Sequence, residues 1–165
     1  MKILVCSDSH AGISFMRHCI DIIKPNGIIH LGDFYDDGEV IAQENPQVPF
    51  WQVPGNCDRY RCPFGAPEVL CGSVGGVRFF MTHGHQHRVK SGIGGLLSDA
   101  RRSNAQLVLY GHTHQAYCVK EDDGLWVMNP GACGSWGGSV GVVEIENGNI
   151  TACHILRQAD LENDL

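Results

Sequence analysis

Apolar positions along this chain fall into short runs, and the polar residues that interrupt them recur as compact clusters rich in Asp, His and Gly. Residues 2–7 begin with Ile3, Leu4 and Val5 in succession, the mark of a strand buried on both faces. Helical apolar spacing follows over 13–23, and Pro25-Asn26-Gly27 stops it. A second strand is predicted over 27–31, a short helix over 39–44 ahead of Pro46, and a third strand over 48–53. Strand, helix, strand, helix, strand is the order of a parallel sheet covered by helices.

The stretch 59–67 is rich in Pro, Arg and aromatics without periodicity and reads as a loop bordering a site. Runs over 69–74 and 77–82 flank Gly75-Gly76, a two-residue hairpin signal. A helix over 96–102 and a buried strand over 107–110 come next. The last third then changes character. Residues 116–120, 125–129, 139–146 and 150–156 look like antiparallel strands, with turns at Asp122-Asp123-Gly124 and Asn147-Gly148-Asn149. The polar end from Arg157 reads as a frayed tail or a short helix, giving one domain over 1–157 and a tail over 158–165. A βαβ first half and a hairpin-rich second half predict an α/β fold: a four-layer αββα sandwich of two mixed β-sheets flanked by helices.

Composition narrows the function. The 165 residues, 43% apolar and 18% charged, suffice for one sizeable core. A net charge of -6 argues against a general nucleic-acid-binding surface, which needs clustered Lys and Arg. The eight cysteines are scattered with no CxxC, so they read as reduced core thiols in a cytoplasmic protein. The apolar opening is too short for a signal peptide, and no run approaches the ~20 apolar residues of a membrane span.

Chemistry gathers in five clusters, each just after an apolar run: Asp8-Ser9-His10, Gly32-Asp33, Gly55-Asn56-Cys57-Asp58, His83-Gly84-His85 and Gly111-His112-Thr113-His114. The ends of strands are where open α/β sheets place their sites. Asp, His and Asn suit divalent first-row metals, and the paired cysteines of a structural zinc site are missing. Asp8 and His10, two apart on an extended backbone, would point to one side and share an ion. Asp33, at the end of the neighbouring strand, is placed to bridge two ions at the ~3.5–4 Å separation used for in-line displacement. Asn56 is a neutral oxygen ligand, and His83, His112 and His114 complete the set.

This ordered set, spanning Asp8 to His114, resembles the calcineurin-like metallophosphoesterase superfamily. The short length and the Gly-Asn-Cys-Asp variant resemble its small bacterial and archaeal phosphodiesterase branch, whose eukaryotic relative is a scaffold of the retromer complex. The resemblance implies one ion on Asp8, His10 and His114, a second on Asn56, His83 and His112, and Asp33 between them. Two divalent ions against two carboxylates and a hydroxide leave a net charge of about +1, enough to hold a phosphate. The activity implied is a phosphoesterase, foremost a phosphodiesterase, working by in-line attack of a metal-bridging hydroxide. Mn2+ is the foremost metal, with Ni2+, Fe2+ and Zn2+ as alternatives. The competing expectation is a non-catalytic metal-binding scaffold like the retromer subunit, and retention of all seven ligands favours the enzyme. A metallo-β-lactamase-type hydrolase would need a His-x-His-x-Asp-His cluster that is missing here.

Beyond the ligands, Asp33, Asn56, Asp58 and His85 are expected in the catalytic group, with Asp58 orienting a ligand or its loop. Cys57, Arg59 and His85 are expected to contact substrate, with Arg61 as a further candidate. Many family members carry a leaving-group His at the position of Cys57. A thiol, with an unperturbed pKa of ~8.5, is a poor replacement for an imidazolium acid. Activated diesters should therefore be better substrates than alkyl monoesters. His18, His30, His87 and His154 lack motif support and read as surface or core residues. Trp51 and Trp126 read as packing, Trp136 is the best exception, and Asn129-Pro130-Gly131 with Ser135 is a region that supports the site in the family. The expected partner is a small phosphate ester, nucleotide derivatives included, and exposed apolar surface makes a homodimer reasonable.

Overall fold

The computed structural model describes residues 1–134 and 136–162. Strand β1 (Lys2–Cys6), helix α1 (Ser14–Ile23), β2 (Gly27–His30), α2 (Tyr35–Glu44) and β3 (Phe50–Gln52) form the predicted βαβαβ unit. They are followed by β4 (Val69–Val74), β5 (Val77–Thr82), a 3-10 turn (Val89–Ser91), α3 (Gly94–Arg102) and β6 (Leu107–Leu109). The chain ends with β7 (Tyr117–Lys120), β8 (Trp126–Asn129), β9 (Ser139–Glu146), β10 (Asn149–Arg157) and α4 (Gln158–Glu162).

Two mixed sheets result, ordered β10-β9-β1-β2-β3 and β4-β5-β6-β8-β7. In the first, β1, β2 and β3 are parallel, and β9 returns antiparallel beside β1. In the second, β5, β6 and β8 are parallel, with β4 and β7 as antiparallel edges. The late strands are therefore not one antiparallel unit. The β7–β8 hairpin completes the second sheet, where β8 pairs parallel to β6, whereas β9–β10 completes the first.

Strand alternation explains the layers. Ile3 and Val5 of β1 point between the sheets with Ile29, Phe79, Met81, Leu107 and Leu109. Their neighbours Leu4 and Cys6 point outward, under Phe15, Met16 and Cys19 of α1 and Ile41 of α2. On the far side, Phe80, Val108 and Val127 pack beneath Leu96, Leu97 and Ala100 of α3. Each such side chain, moved from water to the interior, contributes about 1.5–3 kcal/mol before entropy is counted. All eight cysteines are free thiols, and Cys6, Cys19 and Cys133 are buried. No helix among the described residues is long and apolar enough to cross a membrane.

One element differs from expectation for physical reasons, and a second is decided between two alternatives. Helix α2 starts at Tyr35 rather than 39, because Asp36 and Asp37 favour its N-terminal dipole. Gly38, which weakens the helical signal, lies close under the end of the Gln52 side chain. Of the two readings of the polar end, residues 158–162 form the short helix, α4, where a tail was the alternative: Leu161 is buried against the α1 cluster, and Asp160 Oδ2 accepts the Arg157 N–H at 2.8 Å. Residues 163–165 and Ser135 lie outside the described residues.

Candidate metal centre

Five strand ends deliver the predicted residues. Asp8 and His10 follow β1, Asp33 follows β2, Asn56 follows β3, His83 and His85 follow β5, and His112 and His114 follow β6. The chain turns sharply as it leaves these strands. Asp8, His10, Asp33, His112 and His114 all have positive φ, from 43° to 69°. The left-handed region is tolerated best by Asn, Asp and His, and each residue held there stores roughly 1–2 kcal/mol. Asp8 and His10 thus converge through a left-handed turn, not along the extended backbone that their spacing suggested.

Asp8 is fully buried. Its Oδ2 accepts from Ser7 Oγ at 2.6 Å and from the His112 N–H at 3.2 Å. Its Oδ1 makes no hydrogen bond. Around that oxygen stand His114 Nε2 at 3.1 Å, His83 Nε2 at 3.8 Å and His10 Nε2 at 3.9 Å. Asp33 lies opposite, with Oδ1 accepting the Cys57 N–H at 2.9 Å and Oδ2 lying 3.4 Å from His83 Nε2 and 3.8 Å from His10 Nε2. Burial opposes ionisation of Asp33, but the hydrogen bond and charge of His83, with the Cys57 N–H, outweigh it and hold the carboxyl well below its ordinary range.

His83 is buried, and its Nδ1 lies 2.7 Å from the Leu31 carbonyl. A carbonyl only accepts, so Nδ1 carries the proton and Nε2 is turned toward Asp8, Asp33 and the Asn56 Oδ1 at 3.1 Å. A backbone acceptor on the far nitrogen is the arrangement that orients a metal-binding imidazole. Burial opposes protonation of His83, while Asp33, Asp8 and the Leu31 carbonyl raise its pKa.

Two ligand clusters emerge: Asp8, His10 and His114, and Asp8, Asp33 and His83, each with one donor atom per residue inside a 4.8 Å span. Asp8 belongs to both clusters, and Asp33 Oδ2 lies within 3.8 Å of a histidine from each. His112 is in neither, although its ring stands 5.1 Å from that of His83. The residues fit divalent cations, because a buried carboxylate oxygen with no donor is costly until a positive charge reaches it.

A model of the calcineurin-like phosphoesterase superfamily domain matches residues 1–148. The chain belongs to the calcineurin-like phosphoesterase superfamily. It is 30% identical over 148 residues to phosphodiesterase MJ0936 of Methanocaldococcus jannaschii, covering 81% of this chain and 84% of that protein. A predicted phosphoesterase from Streptococcus pneumoniae superposes with a TM-score of 0.71 at 22% identity, covering 95% of this chain and 97% of the other. Zinc-complexed Vps29 from Entamoeba histolytica gives 0.67 at 17% identity, covering 95% and 99%. These two structures share the fold.

Around these clusters, several residues hold the candidate ligands in place. Asp58 is buried and collects three backbone donors: Oδ2 accepts from the N–H groups of Asp33 at 2.8 Å and Gly55 at 2.7 Å, and Oδ1 from that of Tyr35 at 2.9 Å. It therefore ties the Asp33 and Asn56 loops together. Asn129 does the same for the last cluster, donating to the Gly111 carbonyl at 3.0 Å and Thr113 Oγ1 at 2.9 Å. Glycine is needed at two of these turns. A side chain on Gly55 would strike Asp33, and one on Gly111 would strike Ser7 and Asp8.

His30 is a satisfied core histidine, 3.0 Å from Ser9 Oγ and accepting the Gly32 N–H at 3.3 Å. His87 reaches Asp99 on α3 at 3.0 Å, while His18 and His154 are exposed. Trp51 packs edge-on to Phe79, Trp126 lies partly buried under Lys120, and Trp136 is almost fully exposed. Arg61 is drawn away from the centre: it bonds Asp36 at 3.0 Å and lies 3.6 Å over the Phe34 ring. Arg59 and His85 line a cleft of ≈ 450 Å³ beside Asn56. A larger groove of ≈ 590 Å³ at Arg78, Arg101 and Lys120 contains none of the candidate ligands. Ser7, Ser9 and the Leu31 carbonyl were invisible to motif reading, because serines and backbone groups carry no spacing signal.

Proposed function

We propose that the protein is a phosphodiesterase acting with two divalent ions, converting a phosphodiester and water into a phosphomonoester and an alcohol. The observation that carries this reading is the pair of clusters around Asp8 and Asp33: Asp8 Oδ1 is buried without a hydrogen bond, and Asp33 Oδ2 lies within 3.8 Å of a histidine from each cluster. Asp8, His10 and His114 would hold one ion, Asn56, His83 and His112 the other, with Asp33 serving both. When bound, the ions supply Lewis acidity toward the phosphate and hydroxide near neutral pH. Mn2+ is the metal to test first.

The chain's own groups do the rest. His83 keeps Nε2 facing the centre through Leu31, and the Cys57 N–H keeps one oxygen of Asp33 occupied so that the other stays directed inward. Burial and the neighbouring Asp33 raise the Cys57 thiol above its ordinary value, so it stays neutral at pH 7 and is a weak acid toward a leaving oxygen. Burial likewise lowers the pKa of His85, which leaves a neutral imidazole able to hydrogen-bond substrate without adding charge. Leaving groups that depart without a proton are favoured, hence activated diesters over alkyl monoesters. The site suits a small soluble phosphate ester, consistent with a cytoplasmic enzyme.

The test is a substrate panel with manganese-loaded protein, comparing wild type with Asp33→Ala and His83→Ala. Diester turnover falling by about 10³-fold or more in both variants is expected. Failure of the loaded protein to hydrolyse any ester, or unchanged turnover in the variants, would leave the scaffold reading in its place.

A further inference from the structure

Just beyond His83-Gly84-His85 the chain folds back on itself, and two backbone bonds hold it there: the Arg88 N–H donates to the His85 carbonyl at 3.2 Å and the Val89 N–H to the Gly84 carbonyl at 3.3 Å. Val89 anchors the 3-10 turn that begins with it. Its side chain is buried with Phe80 and Leu96, and it fills the space that a side chain on Gly84 would need. Lys90 comes next and is exposed. Arg17, Arg61, Arg101 and Arg102 each have a carboxylate partner, whereas the Lys90 side chain makes no hydrogen bond or ion pair among the described residues. Its charge nevertheless reaches the centre: burial, then the charges of His83 and Lys90, hold the pKa of His112 below its ordinary value. The His112 ring stands 5.1 Å from that of His83 and 6.2 Å from that of His85. A cation held beside a centre built for two divalent ions is repelled by them, and the arrangement becomes favourable when an anion lies between.

We infer that Lys90 is a substrate-binding residue, which takes a non-bridging oxygen of the phosphoryl group on the His112 side of the centre and discriminates by the charge on that group. An ammonium is a point charge on a flexible stem, so it attracts by charge more than by shape. Phosphate and the monoester product, as dianions, gain more from it than the monoanionic diester. Lys90 thus also sets how firmly product is held. This inference rests on the phosphodiesterase reading of the adjacent centre.

The experiment uses the manganese-loaded protein with Lys90→Met, which keeps most of the stem and removes the charge, and Lys90→Arg, which keeps the charge; both alter an exposed side chain and leave the core intact. Titration calorimetry with inorganic phosphate at about pH 8, where it is a dianion, reads binding without turnover. The dissociation constant should rise about tenfold or more in Lys90→Met and stay within about threefold of wild type in Lys90→Arg, with the manganese content unchanged in both. With methyl p-nitrophenyl phosphate, a monoanionic diester, kcat/KM should fall in Lys90→Met by a smaller factor than phosphate affinity does. No phosphate binding by the wild type, an affinity unmoved in Lys90→Met, an equal loss in Lys90→Arg, a loss matched by lost manganese, or a larger loss for the diester than for phosphate would overturn the inference. Phosphate binding that depends on the Lys90 charge, in a protein that hydrolyses no ester, would uphold the anion contact and remove the phosphodiesterase reading.

Discussion

The two ligand clusters share Asp8 and differ in nearly everything else. Around the second, His83 and Asp33 are sealed from solvent and braced by the Leu31 carbonyl, the Cys57 N–H and Asp58. Around the first, His10 and His114 keep 35% and 48% of their side-chain exposure and have no backbone partner for their rings among the described residues. The contrast teaches that one half of the centre is pre-formed by the core while the other is completed from loops. A pre-organised site loses less freedom on binding, so the sealed cluster should hold its ion more tightly.

Removing one histidine from each cluster breaks this comparison most severely. Metal analysis after dialysis should find two ions in wild type and one in His114→Ala, with diester hydrolysis down by about 10²–10³-fold. His83→Ala should fall below one ion, because Nε2 faces both carboxylates, and should also lower the unfolding temperature by emptying a buried position. Equal ion counts in the two variants would erase the proposed difference.

Asp58→Asn sharpens the comparison more gently. Its amide nitrogen would face a backbone N–H where a carboxylate oxygen now accepts, loosening the Asp33 and Asn56 loops. Affinity at the sealed site should drop about 10–100-fold, with the exposed site less affected. Competition titration against a metal-sensitive dye reads this directly, and unchanged affinity at both sites would remove Asp58 from the account.

The smallest effect concerns what lies beneath. Burial lowers the His30 pKa from 6.5 to about 4, against the opposing pull of Asp58, Asp37 and Asp8. The folded state rejects a proton that the unfolded chain accepts, so this contribution is fully present above about pH 6.5 and is lost as pH falls toward 4. Integrated over that window it amounts to at most about 3 kcal/mol. Urea midpoints of metal-free protein should decline across the window, and His30→Gln should flatten the slope. An equal slope in the variant would assign the pH dependence to other groups.

Much of this was legible in the chain. The uninterrupted apolar runs of β1 and β2 announce buried parallel strands, and the Asp and His residues singled out at strand ends include all those that the fold gathers into two clusters able to hold a metal ion. The partnership of β8 with β6 was not legible, since pairing between strands separated by a hairpin leaves no local pattern. Nor was the left-handed backbone at Asp8 and His10, which is imposed by how closely the strand ends meet. Asp58 was read with the catalytic group as orienting a ligand or its loop, and the identity of the three backbone N–H groups that occupy its oxygens is a property of the fold.

The central claim is that two cation sites meet at Asp33. Anomalous diffraction from a crystal grown with Mn2+ tests it most directly. The account predicts two manganese peaks, one against Asp8, His10 and His114 and one against Asn56, His83 and His112, with Asp33 touching both. A single peak, or none at these residues, would contradict it.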